Sequence, residues 1–462
     1  MSSTSLSNYK LHKCEQYVEP ISNFFRRPVF SPELAFNRIR SLLFRNEETS
    51  LPQTTNAAPS HKSAYNVLIV IENMSYTYDT RAQNIAKSLV GAGYQVNVIC
   101  PRYSDDPKVA EINDVSVTFY YSPQFADSLA GHLLEYAYSL VAIYVLAISA
   151  FARKRIDILH VCNPPDLFFP LGKLIQLFDR NFIYDQHDRV PELFRVRYHN
   201  SNPVFKFVLR KTEGLSVRVA DHVLATNESG KGNIIRRHGV SAHNVSIVRN
   251  GPNLELFPSN PVPGQNRASV MVGYIGNMNP QDSIDILLYS ICHIKHTARY
   301  DNIRFVLIGD GGAYNSLVEL SNDLQIDDIV EFTGRLIPEK AYQRLAEMDI
   351  CVQPDARNVF TNTCTMVKVL EYMALRKPIV TFDLKETRYS CGSAALYAKQ
   401  NCPTDFANQI IKIAQNSTLG KTLGDEGYRR LSEKFTWSHS EQHLLKAYAA
   451  VLNGKATAGN DL

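Results

Sequence analysis

Runs of branched apolar residues recur along this chain, each closed by a polar or glycine-containing turn and followed by a longer segment of mixed character. "YNVLIVIEN" opens the series, with Val67 to Ile71 apolar throughout. A run with no polar alternation predicts a strand covered on both faces, as in a parallel sheet. "TRAQNIAKSLVGAGYQVNVIC" then reads as a helix, a glycine-containing turn and a second strand, which is one βαβ unit. "DILHVCN", "FIYDQHD" and "ADHVLATN" repeat the strand pattern between helix-like segments, and "NVSIVRNG" closes this half near Gly251.

"PNLELFPSNPVPGQNRAS" is proline-rich, polar and non-periodic, so it reads as an interdomain linker. A second series starts with "VMVGYIG" and runs through a helix from about Ser283, "IRFVLIGDG", a helix from about Ala313, "IVEFTGR", a helix from Pro338, "ICVQPD", a helix from about Thr365 and "PIVTFDL". Strands alternating with helices predict α/β architecture with a doubly wound parallel sheet, here twice. The expected domains are a polar extension (1–63), a first Rossmann-like domain (64–255), a second (256–435) and a terminal helix (436–462) packing back on the first. Residues 51–63 read as a flexible linker, and "FNRIRSLLFR" before it as a short basic amphipathic helix. Ligands of such sheets sit outside the carboxyl ends of the strands, so a cleft between two facing domains is the expected site.

A length of 462 residues agrees with two domains. The net charge of +4 is too mild for a nucleic-acid binder. Eight scattered cysteines without a C-x-x-C pair suit reduced thiols in a cytosol better than disulfides or a zinc site. No N-terminal apolar run resembles a signal peptide. The run from Ala137 to Ala152 is apolar and ends in Arg153, Lys154 and Arg155. It is slightly short for a membrane span and reads first as a buried core helix, second as a contact with a membrane surface.

Several polar residues stand where strands end. In "YDQHDRVPEL", His187 and Asp188 follow a strand, where an imidazole beside carboxylates suits a ligand hydroxyl or an anionic oxygen; a helix-capping loop histidine is the alternative. Asn163 and Asp166 in "HVCNPPDLFFPLG" have the same placement, with Asp166 read equally as a helix N-cap. Gly273 and Gly276 in "GYIGNMNPQDS" allow close backbone approach to a phosphate, although the spacing is not G-x-G-x-x-G. "GDGG" at Gly309 reads as a plain strand-to-helix turn. In "TMVKVLEYMALRKPIV", the free N–H groups of Met366 and Val367, with Lys368, would face an anion at a helix start; without that anion the helix dipole opposes a lone Lys368, so its removal is expected to cost the unliganded protein no stability. Glu371, three residues on, is suited to accept two ribose hydroxyls. "SDDPK" and "IDDIV" read as turns, and no D-x-D in a metal-holding setting, Ser-His-Asp order or P-loop stands out.

Together with "VRNGPNLELF", "FVLIGDG", "VEFTGR" and "CTMVKVLEYMALRKPIVTFDLKETR", these stretches resemble the family 4 glycosyltransferases of the GT-B fold over roughly residues 64–455, most of all the bacterial branch that builds exopolysaccharide and O-antigen chains. The resemblance implies two Rossmann-like domains facing across a cleft, a nucleotide-sugar donor, retention at the anomeric carbon, and no metal or other cofactor. It places the catalytic pair at His187 and Asp188. The donor-binding set falls on Gly276, Asn277, Arg335, Thr365, Met366, Val367, Lys368 and Glu371, with Glu371 on the ribose. Three family positions differ. Thr363 replaces a glutamate, and Asn277 and Asp282 replace the arginine and lysine that meet the pyrophosphate, which leaves Lys368 as the substitute cation. The glycine pair after the first strand is replaced at about Tyr76 and Thr77.

The resemblance thus implies transfer of a hexose-type sugar to a glycan or polyprenyl-linked acceptor in surface polysaccharide synthesis. The enzyme would be cytoplasmic and peripheral at the inner membrane face, with no nucleic-acid partner. A sugar-nucleotide 2-epimerase of the same fold, or a degenerate non-catalytic scaffold, are the competing readings.

Overall fold

The computed structural model describes residues 65–458, apart from 104–105, 124–128, 198–201, 253, 255–256 and 259–268. The polar extension, its amphipathic stretch, most of the proline-rich linker and part of "SDDPK" therefore lie outside the described residues.

The first sheet contains β1 (Asn66–Val70), β2 (Gln95–Arg102), β3 (Val109–Ile112), β4 (Val115–Tyr121), β5 (Ile158–Cys162), β6 (Asn181–Gln186), β7 (His222–Ala225) and β8 (Val245–Ile247). Their spatial order is β3-β4-β2-β1-β5-β6-β7-β8. All pairings are parallel except β3 with β4, a hairpin at the edge. The apolar-run reading did not reach these two strands, because edge strands such as β3, with its half-exposed pattern, carry no continuous apolar signal.

The helices of this half are α1 (Thr80–Gly91), α2 (Leu129–Arg153), α3 (Phe169–Gln176), α4 (Val190–Arg197), α5 (Pro203–Val219) and α6 (Glu228–His238). Val67, Ile69, Val98 and Ile158 face α1 on one side of the sheet, while Leu68, Val70, Leu159 and Tyr184 face α2 and α3 on the other. Both faces are covered, which is why β1 could be apolar at every position.

The second sheet contains β9 (Val270–Ile275), β10 (Ile303–Ile308), β11 (Val330–Gly334), β12 (Ile350–Gln353), β13 (Ile379–Phe382) and β14 (Ala395–Ala398), in the order β11-β10-β9-β12-β13-β14. With β9 counted first, this is the doubly wound 3-2-1-4-5-6 order, and its direction reverses between β9 and β12. The helices are α7 (Ile284–Cys292), α8 (Tyr314–Asp323), α9 (Pro338–Ala346), α10 (Val367–Ala374), α11 (Lys385–Cys391), α12 (Pro403–Ala414) and α13 (Ser417–Lys434).

The last helix, α14 (Trp437–Ala458), leaves the second sheet and inserts Leu444, Ala447 and Tyr448 into the core beside α1. Its start crosses the chain at Gly251, where an added Cβ would lie 2.9 Å from the Trp437 nitrogen. Trp437 Nε1 donates to Ser88 Oγ at 2.8 Å, and Tyr448 Oη lies 2.7 Å from His160 Nδ1.

The expectation of a buried core helix at Ala137–Ala152 needs correction. In α2, Ala142, Ile143 and Ala147 are buried against the sheet, but only 22% of its most apolar stretch is buried.

Candidate active site

A cavity of about 410 Å³ lies beyond the carboxyl ends of strands from both sheets. From the first half it is lined by Gln186, the last residue of β6, and His187 to Arg189 after it, by Thr226 and Asn227 after β7, and by Asn250. From the second half come the ends of β9 and β12 and the segment that leads into α10. The switch point of the second sheet, between β9 and β12, therefore opens into this space.

Two domains meet across it through side chains that the sequence did not single out. Arg189 Nη2 donates to the Phe360 carbonyl at 2.8 Å. Asn227 Nδ2 donates to the Thr363 carbonyl at 3.1 Å and to Thr365 Oγ1 at 3.0 Å, while its Oδ1 caps α6 by accepting from Gly230 N. Arg249 Nη1 donates to Thr365 Oγ1 at 3.2 Å and lies 3.5 Å from Glu386 Oε2. Asn227 was legible in principle, since an N-cap asparagine directly after an apolar strand sits at the carboxyl edge of the sheet. Arg189 and Arg249 carry no such signal, because their partners are 116 or more residues away.

The first half positions His187 through its backbone. Asn163 Oδ1 accepts from the N–H groups of both His187 and Asp188, at 2.9 and 3.0 Å. Asn163 is thus a buried brace for the loop. Asp166 is neither a helix cap nor a cavity residue: α3 starts at Phe169, and Asp166 is buried, accepting from Tyr184 Oη and Asn163 Nδ2. Burial raises its pKa to about 7, against the opposing effect of those bonds.

The His187 ring has Nδ1 at 3.9 Å from Asp185 Oδ2, beyond a hydrogen bond but within reach of its charge. Burial opposes a charge on the ring, but Asp185 outweighs it, so the pKa lies above the usual histidine value. Asp185 is fully buried and held by Arg81, whose Nε and Nη2 reach its two oxygens at 2.8 and 2.7 Å. Despite burial, that guanidinium holds the Asp185 pKa well below the carboxylate range. His160, Cys162 and Asp185 also lie close enough to suggest a metal group. Arg81, however, already supplies the cation that Asp185 faces.

The second half supplies the charged floor. Lys368 Nζ donates to Asp355 Oδ2 at 3.1 Å and to Tyr274 Oη at 3.3 Å, and lies 4.8 Å from the centre of the Tyr274 ring. The side chains of Lys368 and Asp355 are only 12% and 3% exposed. The expectation of a lone lysine opposed by the helix dipole is therefore overturned: burial disfavours its charge, but Asp355 more than compensates and its pKa is raised. The helix also begins two residues later than expected, at Val367, with Met366 as an N-cap that provides no side-chain bond. Its first-turn N–H groups are then those of Val367 to Val369, of which Val369 N reaches back to the Met366 carbonyl at 3.1 Å.

Glu371 lines the cavity and accepts from Tyr342 Oη at 2.8 Å through Oε1. Burial raises its pKa, opposed by that bond and by Lys368. Gly276 is required, because its φ is +148° and a Cβ would stand 2.9 Å from Tyr274 Oη. Its N–H, though, is taken by the Ile308 carbonyl at 3.0 Å, so it forms floor and is not a free phosphate donor. Gly309 serves this same packing: a Cβ there would fall 1.9 Å from the Gly276 oxygen.

Of the residues expected from sequence, the cavity lining unites His187, Asp188, Gly276, Asn277, Thr365, Met366, Val367, Lys368 and Glu371. Arg335 is the exception. It is exposed after β11, outside this lining, and acts electrostatically on the Tyr103 hydroxyl. Strand-end position alone could not tell it from the others, since β11 is the edge of its sheet, away from the switch point.

Comparison with known proteins gives a consistent picture. Residues 79–256 match the family described as Glycosyltransferase Family 4, and residues 269–416 the family described as Glycosyl transferases group 1. An uncharacterised glycosyltransferase of Methanocaldococcus jannaschii is 28% identical over 208 residues, 44% of this chain and 52% of that protein. A D-inositol 3-phosphate glycosyltransferase of Gordonia bronchialis is 22% identical over 258 residues, 52% of this chain and 55% of that protein. The chain thus spans about half the length of the curated relatives it matches. Among solved structures, Anabaena HepE in complex with UDP and glucose superposes with a TM-score of 0.62 at 15% identity, covering 83% of this chain and 99% of that one. Two doubly wound sheets sharing a cavity at their carboxyl ends, and two matched family regions that divide between those sheets, assign the chain to the glycosyltransferases of the GT-B fold, a family 4 region followed by a group 1 region.

Proposed function

We propose that this cavity binds a nucleotide-sugar and that the chain transfers its sugar, with retention, to a glycan or polyprenyl-linked acceptor at a membrane, in surface polysaccharide synthesis. The observation that carries the reading is the grouping of Lys368, the α10 start and Glu371 on one wall, with His187 opposite on the other domain. A diphosphate would lie against Lys368 and the first-turn N–H groups, where cation and dipole favour it. Glu371 has one oxygen on Tyr342 and a second for the ribose hydroxyls. The acceptor hydroxyl would lose its proton to the donor's departing phosphate oxygen, the new glycosidic bond forming on the face from which the nucleoside diphosphate leaves. Charge handling at that oxygen is then the main catalytic task. Electrostatic stabilisation by His187 fits it, as Asp185 favours the imidazolium. The chain's own groups suffice for these roles, so the reading includes no metal or other cofactor.

Calorimetry with a nucleoside diphosphate tests the donor wall. Glu371→Ala is expected to weaken binding about ten- to a hundredfold, as loss of charge-assisted ribose bonds worth roughly 1.5–3 kcal/mol requires. Unchanged affinity in the folded variant would remove Glu371 from the site.

Asp282 gives this reading a pH signature. Burial raises its pKa to about 6, against the opposing effect of Lys368. Its carboxylate lines the same cavity, and Oδ2 accepts from Asn279 N at 2.9 Å. Since the folded pKa lies above the ordinary 3.8, the fold favours the protonated form: this contribution to stability is complete below 3.8 and is lost as pH rises through about 6. A bound diphosphate favours the neutral form further. Nucleotide-sugar affinity is therefore expected to increase as pH falls through about 6, and Asp282→Asn to bind more tightly at neutral pH with a flatter profile. A wild-type affinity independent of pH in that window would contradict the placement.

A further inference from the structure

The outward side of α2 has the wrong composition for a water-facing helix. Its exposed positions between 134 and 152 are Leu134, Tyr136, Ala137, Val141, Val145, Ile148 and Ala152, none of them charged, and all but Tyr136 form an aliphatic stripe at helical spacing. Leu134, Val141 and Ile148 are 58%, 50% and 47% exposed. A helix on the surface of a domain normally turns charged residues outward, so an apolar stripe opposite an apolar buried face calls for a partner. The helix cannot simply cross a bilayer, because Ala142, Ile143 and Ala147 on its other side are locked into the first sheet.

Beside this stripe runs an apolar groove of about 470 Å³ between α2 and α3, lined by Ile148, Phe151, Leu174, Ile175 and Phe178. Leu177 and Phe178, at the end of α3, are 74% and 67% exposed. The same end is cationic. Lys154, Arg155 and Arg180 line the groove, and Arg153 is exposed at the end of α2. The nearby carboxylates are Asp157 and Asp179. Asp157 is nearly buried and accepts from both Arg155 and Arg180, at 2.8 and 3.1 Å, so it neutralises only part of this charge.

We infer that this α2–α3 face docks the protein on an anionic phospholipid bilayer, with the stripe and the α3 end in the acyl boundary and the cations among the phosphates. Apolar residues flanked by arginine and lysine are the pattern of an interfacial helix. A second copy of the chain fits less well, since a two-fold contact would bring the same cations together. The inference deepens the membrane contact of the proposed function. Vesicle binding needs neither donor nor acceptor, so its failure and the failure of sugar transfer are separately visible.

The test is flotation of the full chain with phosphatidylcholine vesicles, with and without phosphatidylglycerol. Wild type is expected to float with the anionic vesicles and to be released by salt. Val145→Glu with Ile148→Glu should lower this binding by about tenfold or more, with the melting temperature unchanged because both positions face outward. Arg153→Glu with Lys154→Glu should lower it and flatten its salt dependence. Absence of wild-type flotation, equal binding to neutral vesicles, or full binding by the apolar double variant would overturn the inference. A double variant that dissociates a dimer yet still floats would assign the face to a second copy.

Discussion

Lys368→Met is expected to destabilise the protein by about 3–5 kcal/mol and to abolish measurable nucleoside diphosphate binding. The stability loss follows from Asp355, whose side chain is 3% exposed and would lose its partner ammonium while remaining buried. Among the described residues, Gln353 Nε2, at 3.1 Å, would be the carboxylate's one remaining side-chain donor. The affinity loss follows from removing the cation beside the α10 start. The two effects separate in the double variant Lys368→Met with Asp355→Asn, which should recover much of the stability but none of the affinity. Denaturant unfolding and calorimetry on the same samples check both. A stable single variant would show that the pair is not coupled in solution, and retained diphosphate binding would place the phosphates elsewhere.

His187→Ala is expected to lower kcat by about a hundredfold or more while changing donor affinity by no more than about twofold, because a group at the departing oxygen matters most when charge develops there. The loop should survive the substitution. Asn163 holds it through the backbone N–H groups of His187 and Asp188, and the ring Nδ1 has no hydrogen-bond partner among the described residues. Single-turnover kinetics with saturating donor reads the effect directly. Equal losses in affinity and turnover would make His187 a donor-binding residue, and full turnover would reduce it to a loop residue.

The α/β architecture was legible because parallel strands buried on both faces leave long apolar runs, as in β1, and because glycine-containing turns punctuate them. The edge hairpin of β3 and β4 was not, since neither strand is apolar throughout. Strand-end position put His187 and Gly276 at the cavity, and spacing along the helix put Glu371 there, but neither could foresee pairing between segments. Lys368 illustrates this: helix-dipole reasoning predicts a strained, isolated cation whose removal costs no stability. Asp355, thirteen residues earlier at the end of β12, reverses that conclusion. Arg335 stands outside the cavity lining for the opposite reason, since its strand end lies at the edge of the sheet, away from the switch point. The run at Ala137–Ala152 fulfilled the core-helix reading on one face only, because composition cannot show that one apolar face is buried while the other is exposed.

The central claim is that a sugar leaves its nucleotide in this cavity and arrives on an acceptor. Mass spectrometry of the protein incubated with nucleotide-sugars and with glycan or polyprenyl-phosphate-linked acceptors tests it most directly. The account predicts release of a nucleoside diphosphate together with an acceptor heavier by one glycosyl residue, both formed more slowly by about a hundredfold or more in His187→Ala. Conversion of the nucleotide-sugar to an isomer without acceptor would establish epimerisation instead. No turnover with any donor–acceptor pair, alongside no nucleotide binding by calorimetry, would contradict the account and leave a non-catalytic scaffold.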